Sequence, residues 1–320
     1  MTTSEEIVLP AAIRIAVPAT AANLGPGFDC LALALELFNC VEIHPPRSSV
    51  GVTIEVAGEG AETLAVDDHN LVLQAMRSFA SSLGSVLPPF HLRLENAIPL
   101  GRGLGSSAAA IVGGLFAAAT LLCVDSTPER LLPLALAMES HPDNVVAALY
   151  GGLTLGVLDG ETALVRHIAV PATLHAVVLS PDVFSSTLET RAVLPASVPR
   201  KDAVFNASRC ALLVADLAIG RLDGLRIAMQ DRLHQPQRGQ VFGYLVAAIE
   251  AAQAAGAHGA ALSGAGTSVI ALADDNFEAI AGAMASVAVA HGIHARTMVL
   301  PVAYRGAHIV TRLRVPTPVL

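Results

Sequence analysis

A chain of 320 residues that is 53% hydrophobic and only 14% charged can bury a sizeable core, as one large domain or two ordinary ones. Its net charge of −8 at pH 7 gives a nucleic-acid partner no electrostatic support. Lys201 is the single lysine, so a phosphate or carboxylate clamp must draw on arginine, backbone N–H groups or metal.

Ile13 to Val17 alternates loosely and is rich in isoleucine and valine, which predicts a strand. Pro18, Asn23, Gly25, Pro26 and Gly27 then crowd a stretch that reads as a loop. Asn23 and Asp29 lie in it, and their residue types suit either Asx-turns or a polar ligand. Strands are expected over Phe38 to His44 and Val50 to Val56, and a helix over Asn70 to Leu83 with an acidic or asparagine cap. Phe90 to Leu94 reads as a strand. Thr127-Pro128-Glu129 starts a helix that runs to Glu139.

The segment Pro99 to Leu115, PLGRGLGSSAAAIVGGL, carries the densest signal. Gly101, Gly103 and Gly105 come at every second residue, which allows positive φ and close approach of backbone to a ligand. Ser106, Ser107 and an alanine-rich helix former follow. A glycine loop feeding a helix N-terminus aims free N–H groups and the positive dipole end at one point, which suits phosphate. The serines add hydroxyl donors, or one can ligate Mg²⁺. Ser106 stands where a Walker A lysine would be, and the third glycine comes one residue early for a dinucleotide fingerprint. Leu104 to Val124 is uncharged and long enough to span a bilayer, but Gly113-Gly114, the paired serines and the absence of a basic flank favour a buried helix.

In ESHPDNVVAALYGG, residues Glu139, His141, Asp143 and Asn144 crowd a polar corner that fits no zinc template. Asp143 or Asn144 is expected to cap the next helix, and Glu139 could hold Mg²⁺ on a nucleotide phosphate. Strands follow at Gly151 to Val157, Val165 to Val170 and His175 to Leu179. Helices are expected over Asp202 to Ile219, Asp223 to Gln230 and, as one amphipathic element, Val241 to Ala255. Between them Arg232, His234 and Arg238 surround Pro236, and such arginines read by default as solvated surface residues. Ala257 to Ser263, Val269 to Leu272, Ala295 to Leu300 and Ala307 to Arg312 read as strands, and Phe277 to Ala290 as a helix. A helix-on-sheet second half results. The N-terminus MTTSEEIVLP has no secretory pattern, and Cys30, Cys40, Cys123 and Cys210 lack C-x-x-C spacing, so free thiols in the cytoplasm are expected.

Three motifs in order resemble those of the GHMP small-molecule kinases: AANLGPGFD from Ala21, PLGRGLGSSAA from Pro99 and SGAGTS from Ser263. NLGPGFD, HPDNVVAALYGG, SSTLETRAVLP and HQPQR are similar to the homoserine kinase branch, and the likeness runs from about Ile13 to Leu272. Ser140 and Thr267 stand where that branch usually has glycine and proline, and Val146-Ala147-Ala148 where many members have a proline.

The resemblance implies an α+β, two-domain fold. A ribosomal-protein-type α+β domain covers residues 1–165, and a ferredoxin-like α/β sandwich covers 166–320, with the last strands able to pack back on the first domain. It implies transfer of the ATP γ-phosphate to the side-chain hydroxyl of L-homoserine, with Mg²⁺, on the route to threonine. Asn23, Asp29 and Asn144 fall where the family holds the amino and hydroxyl groups, and Asn144 and Asp29 are the catalytic candidates. Arg191 and Arg238 fall at the α-carboxylate, which planar guanidinium groups suit. His141, Thr187 and Gly264 join the substrate side, and Ser107 and Glu139 the metal. Asn70, Pro99, Leu100, Gly101, Arg102, Gly103, Leu104, Gly105, Ser106, Ser107, Ala108 and Ala109 form the nucleotide side. Asp29 is a base candidate, but its implied place at the ammonium favours base-free catalysis by approximation. A kinase of another hydroxy acid such as threonine, an NAD(P)-dependent oxidoreductase and a non-catalytic binding module are the alternatives. Neither a nucleic acid nor a membrane is an expected partner, and a homodimer is expected because dimers are the commonest assembly.

Overall fold

The computed structural model describes residues 11–47, 51–139 and 141–314. Strands β1 (Ala11–Asn23) and β2 (Gly27–His44) form one long antiparallel hairpin closed by a tight turn at 24–26. The expected loop from Pro18 onwards is therefore mostly strand. Proline and glycine there mark a kink and a turn: the ladder shifts register at Pro18/Ala19 and again at Ala22/Asn23. Ile15, Val17, Leu31, Leu33, Leu35, Val41 and Ile43 recur at alternate positions in the main core, the period-2 signature of a half-buried hairpin.

β3 (Val52–Gly58) runs parallel to β4 (Phe90–Asn96), and β4 pairs with the C-terminal half of β2. β5 (Leu153–Asp159) pairs with the N-terminal half of β2, and β6 (Thr162–Ile168) with β5. The helices α1 (Leu71–Ser82), α2 (Ser106–Leu121), α3 (Pro128–Met138) and α4 (Pro142–Tyr150) pack together beside this sheet. Asn70, rather than Asp67 or Asp68, caps α1, its side chain accepting from Val72 and Leu73. The cap of α4 is His141, so Asp143 and Asn144 lie inside its first turn. α2 is apolar all round because neighbours surround it, and its 16 residues are a core helix. Among the described residues no helix is long and apolar enough to cross a membrane.

The second sheet has the order β10-β7-β9-β8 and is antiparallel throughout: β7 (His175–Pro181), β8 (Gly259–Leu262), β9 (Val269–Ala273) and β10 (Ala295–Pro301). β8 and β9 are unbroken, fully buried apolar runs because each face meets a different core. Ala176, Val178 and Ile270 join the main core, whereas Val177, Leu179 and Val269 face a second core. That second core includes α9 (Leu245–Ala254) and α10 (Phe277–Ala290). In chain order α5 (Thr187–Ala192), α6 (Arg200–Ala218), α7 (Leu225–Ala228) and α8 (Gln235–Val241) come between β7 and α9. The expected single helix from Val241 to Ala255 is broken at Phe242, whose ring is buried in the second core between α8 and α9. The chain enters the second sheet between Ile168 and His175 and leaves it after Pro301. Its final described strand, β11 (His308–Arg314), returns to pair with β1.

Candidate active site

The loop between β4 and α2 places its backbone by glycine. Gly103 has φ +71°, and a Cβ there would sit 2.1 Å from the Ser263 carbonyl oxygen. Gly105, also at φ +71°, is the N-cap of α2 and makes no side-chain capping bond. The first-turn N–H groups of a 16-residue helix are thus left for an anion. Ser263 Oγ donates to the Gly103 carbonyl at 2.7 Å, and Ser268 N–H donates to the Arg102 carbonyl at 3.1 Å. The SGAGTS turn therefore buttresses the loop from behind.

The loop opens on a cavity of about 260 Å³ whose walls include Asn23, Asp29, Gly101, Gly103, Gly105, Ser106, Ser107, Ala108, Glu139, His141, Asp143, Asn144, Arg191, Arg238 and Gly264. An adjoining apolar cavity of about 240 Å³ is lined by Asn70, Leu100 and Ala109 among others. Ser106, Ser107 and Phe184 belong to both walls. Pro99, Arg102 and Leu104 are not among the residues that line either cavity. Pro99 is buried, the Leu104 side chain enters the core while its carbonyl accepts from Thr20 N–H, and Arg102 pairs with Asp182 at 3.0 Å. Thr187 is the first residue of α5.

Charge is concentrated opposite the loop. Asp29, at φ +59°, faces Arg191 with two contacts, Arg191 Nη1 to Asp29 Oδ2 at 3.2 Å and Arg191 Nη2 to Asp29 Oδ1. Arg238 is 1% exposed, so the expectation of a solvated surface arginine fails: the guanidinium donates from Nε to the Thr190 carbonyl and from Nη1 to Gly264 and His234. Burial, then the like charge of Arg191, pushes its pKa down to about 10, which leaves it charged at neutral pH. Asn23 does close the turn, accepting from Asp29 N–H at 3.0 Å, and also donates to the Gly264 carbonyl at 2.9 Å. Its amide keeps one donor and one acceptor for a ligand.

Two buried groups, Asp143 in this wall and Thr20 behind it, were not among the expected site residues. Asp143 is 3% exposed, and burial pushes its carboxyl up to about 6 against the pull of the Asn144 N–H. Its position inside a helix start made a cap the simpler reading. Thr20 is fully buried, and its Oγ1 donates to Asn144 Oδ1 at 2.7 Å while its N–H reaches the Leu104 carbonyl. Asn144 Oδ1 is thus occupied, which turns its Nδ2 toward Asp143 (3.5 Å) and the cavity. A lone hydroxyl among the alanines of β1 was the available signal.

Glu139 and Ser107 line the same cavity, with Glu139 Oε1 3.3 Å from His141 Nδ1. Among the described residues no three His, Cys, Asp or Glu side chains gather to hold a metal alone. One carboxylate and one hydroxyl beside an anion site suit Mg²⁺, which keeps waters and takes phosphate oxygens.

A glycine loop at a bare helix end, an apolar slot beside it and a charged cup beyond define a small-molecule kinase. In keeping with this, the GHMP kinases N terminal domain matches residues 70–152, and the GHMP kinases C terminal domain matches residues 213–290. The homoserine kinase of Desulfitobacterium hafniense is 41% identical over 93% of this chain and 100% of its own length. That of Synechocystis sp. is 42% identical over 94% and 98%. The crystal structure of homoserine kinase from Cytophaga hutchinsonii superposes with a TM-score of 0.85 at 30% identity, covering 97% of this chain and 99% of that one. The chain belongs to the homoserine kinase family and has its two-domain fold. More distant mevalonate kinases, such as that of L. major at 18% identity and TM-score 0.66, share the fold.

Proposed function

We propose that this protein transfers the ATP γ-phosphate to the side-chain hydroxyl of L-homoserine, giving O-phospho-L-homoserine and ADP in the cytoplasm. The observation that carries this reading is the pairing of charges in the cup. Two arginines and two carboxylates, Arg191, Arg238, Asp29 and Asp143, line one cavity, with Arg191 and Asp29 in contact. A zwitterionic amino acid is complementary to that set, its carboxylate exchanging for Asp29 on the arginines and its ammonium for Arg191 on the acids. The four cysteines are free thiols, in keeping with that compartment.

The hydroxyl of a substrate so held extends toward Asn144, whose Nδ2 is available to its oxygen. Loop N–H groups of Gly103 to Ser107 and the α2 dipole take up charge on the transferring phosphoryl. Glu139 and Ser107 would hold Mg²⁺, which supplies charge neutralisation on the phosphates when bound. Asp29 is committed to ionic contacts and is not needed as a base: as the substrate oxygen bonds to the γ-phosphorus and the bond from that phosphorus to ADP breaks, the alcohol proton passes to an oxygen of the transferred phosphoryl group, and rate comes from approximation. The apolar slot beside Ser106 suits the adenine. A homodimer remains part of this proposal, resting on how common twofold assembly is.

Following ADP release with homoserine, threonine, serine and 3-aminopropan-1-ol, which is homoserine without its carboxylate, tests the reading. Homoserine should have the highest kcat/KM. A preference for threonine would move the assignment to another acceptor, and equal use of 3-aminopropan-1-ol would remove the carboxylate clamp.

A further inference from the structure

One fully buried side chain next to the cup does nothing in the mechanism above. His234, the N-cap of α8, is 0% exposed, yet both of its ring nitrogens have partners. Nε2 lies 2.8 Å from the Gly25 carbonyl oxygen, at the turn of the β1–β2 hairpin. Nδ1 lies 3.1 Å from Arg238 Nη1. A carbonyl can only accept, and a guanidinium can only donate. One protonation state alone satisfies both: neutral imidazole, hydrogen on Nε2, lone pair on Nδ1.

The consequence falls on Arg238. Nη1 spends its hydrogens on His234 and on the Gly264 carbonyl, at 3.1 Å each, and Nε on the Thr190 carbonyl at 3.3 Å. Three of five donors are fixed, so the Nη2 corner is the part left to a ligand in the cavity that Arg238 lines. Phe28 completes the packing, stacked on the imidazole at 5.1 Å between centroids and lying 5.6 Å from the Arg238 Cζ. Asp231 anchors the backbone at the start of α8. Its buried carboxylate accepts from the N–H groups of Leu233, His234 and Gln235 and from Asn206 Nδ2.

We propose that His234 is the positioning residue of the carboxylate clamp: pinned as the Nε2–H tautomer by the Gly25 carbonyl, it accepts from Arg238 Nη1 and so decides which edge of that guanidinium meets the substrate. The proposal rests on reading Arg238 as a carboxylate-binding group. It also ties the clamp to the hairpin turn whose residues Asn23 and Asp29 hold the opposite end of the amino acid. Asp231, Arg238 and Asp29 are the charged groups around the ring; burial and Arg238 favour its neutral form, and the two carboxylates oppose them.

The test has two arms. In the first, long-range ¹⁵N correlation spectra of ¹⁵N-histidine protein, with His234 assigned by its loss in His234→Asn, report the tautomer directly. The expected result is an unprotonated Nδ1 and protonated Nε2 from pH 6.5 to 8.5. A ring carrying its hydrogen on Nδ1, or on both nitrogens at pH 7.5, overturns the proposal whether or not any variant folds. In the second arm, His234→Leu removes the acceptor and His234→Asn keeps one near the Nδ1 position. His234→Leu should raise the homoserine KM about tenfold with kcat within threefold, leave the ATP KM unchanged, and leave 3-aminopropan-1-ol turnover within twofold. His234→Asn should recover most of the homoserine KM. A folded His234→Leu with normal homoserine KM, or with equal losses on both alcohols, overturns the positioning role. Failure of the wild-type enzyme to use homoserine would instead sink the functional reading, with the tautomer result still deciding the ring's state.

Discussion

Gly105→Ala is the sharpest probe of how the glycine loop meets the cavity wall at Asn144. The added Cβ would lie 1.9 Å from Thr20 Oγ1 and 3.2 Å from Asn144 Oδ1, where real Cβ contacts stay beyond 3.0 Å. Thr20 or the loop must therefore move by about 1.1 Å, the difference of the first and last of these distances. Placing alanine in the left-handed region at φ +71° adds roughly 1–2 kcal/mol. Losing the buried Thr20–Asn144 hydrogen bond adds about 1–3 kcal/mol. Together these predict a fall in Tm on the order of 3–8 °C for a chain of 320 residues. A 1 Å misplacement of reacting groups costs on the order of a hundredfold in rate, so kcat should drop by about that much in protein that is still folded at the assay temperature. Calorimetric Tm and initial rates of ADP release read the two effects. A double-mutant cycle identifies the cause: in a Thr20→Ala background the clashing hydroxyl is gone, so Gly105→Ala should cost less Tm than in the wild type. Equal costs in both backgrounds would refute the contact as the origin.

Three further outcomes follow from the same cavity. Arg191→Ala should raise the homoserine KM by ten- to a hundredfold, the equivalent of the roughly 1.5–3 kcal/mol of a charge-assisted hydrogen bond, with the ATP KM unchanged by titration of each substrate. Glu139→Gln should keep the far-ultraviolet circular dichroism of the wild type and shift the Mg²⁺ concentration for half-maximal rate upward by at least tenfold; an unshifted Mg²⁺ curve would take Glu139 out of the metal site. Asp143 carries a folded-state pKa near 6, raised from 3.8, so its contribution to stability is full below about pH 4 and is lost as pH rises through 6. That is about 3 kcal/mol for two units, so Asp143→Asn should melt a few degrees above wild type at pH 8, lose that advantage by pH 4, and bind homoserine more weakly at pH 8.

Much of this site was legible because its parts are local. The loop from Gly101 to Ser107 announces itself through glycine spacing and the helix former behind it, and Glu139, His141 and Asn144 fall within six residues of one another. What escaped depends on contacts distant in sequence. Arg238 has the composition of a surface arginine, and only the arrival of Thr190 and Gly264 carbonyls makes its burial tolerable. Thr20 gains its role from Asn144, 124 residues away. The hairpin was obscured in another way: Pro18, Gly25 and Gly27 are strong punctuation, and a twisted hairpin uses such residues at a shift of register without ceasing to be sheet. The His234–Arg238 pair was within reach, since a spacing of four on a helix puts two side chains side by side.

The return of His308–Arg314 to the edge of β1 has a bearing on how the protein is made. The first sheet lacks that edge until some 260 residues beyond β2 have been synthesised, which takes on the order of 10–50 s at ribosomal rates. During that interval β1 presents an unpaired row of N–H and C=O groups, the kind of template that recruits a foreign strand. The whole second sheet must also be emitted before the first can be finished. The two halves are thus linked in time as well as in space, and a chain halted at Pro301 would leave the first sheet with an open edge at β1.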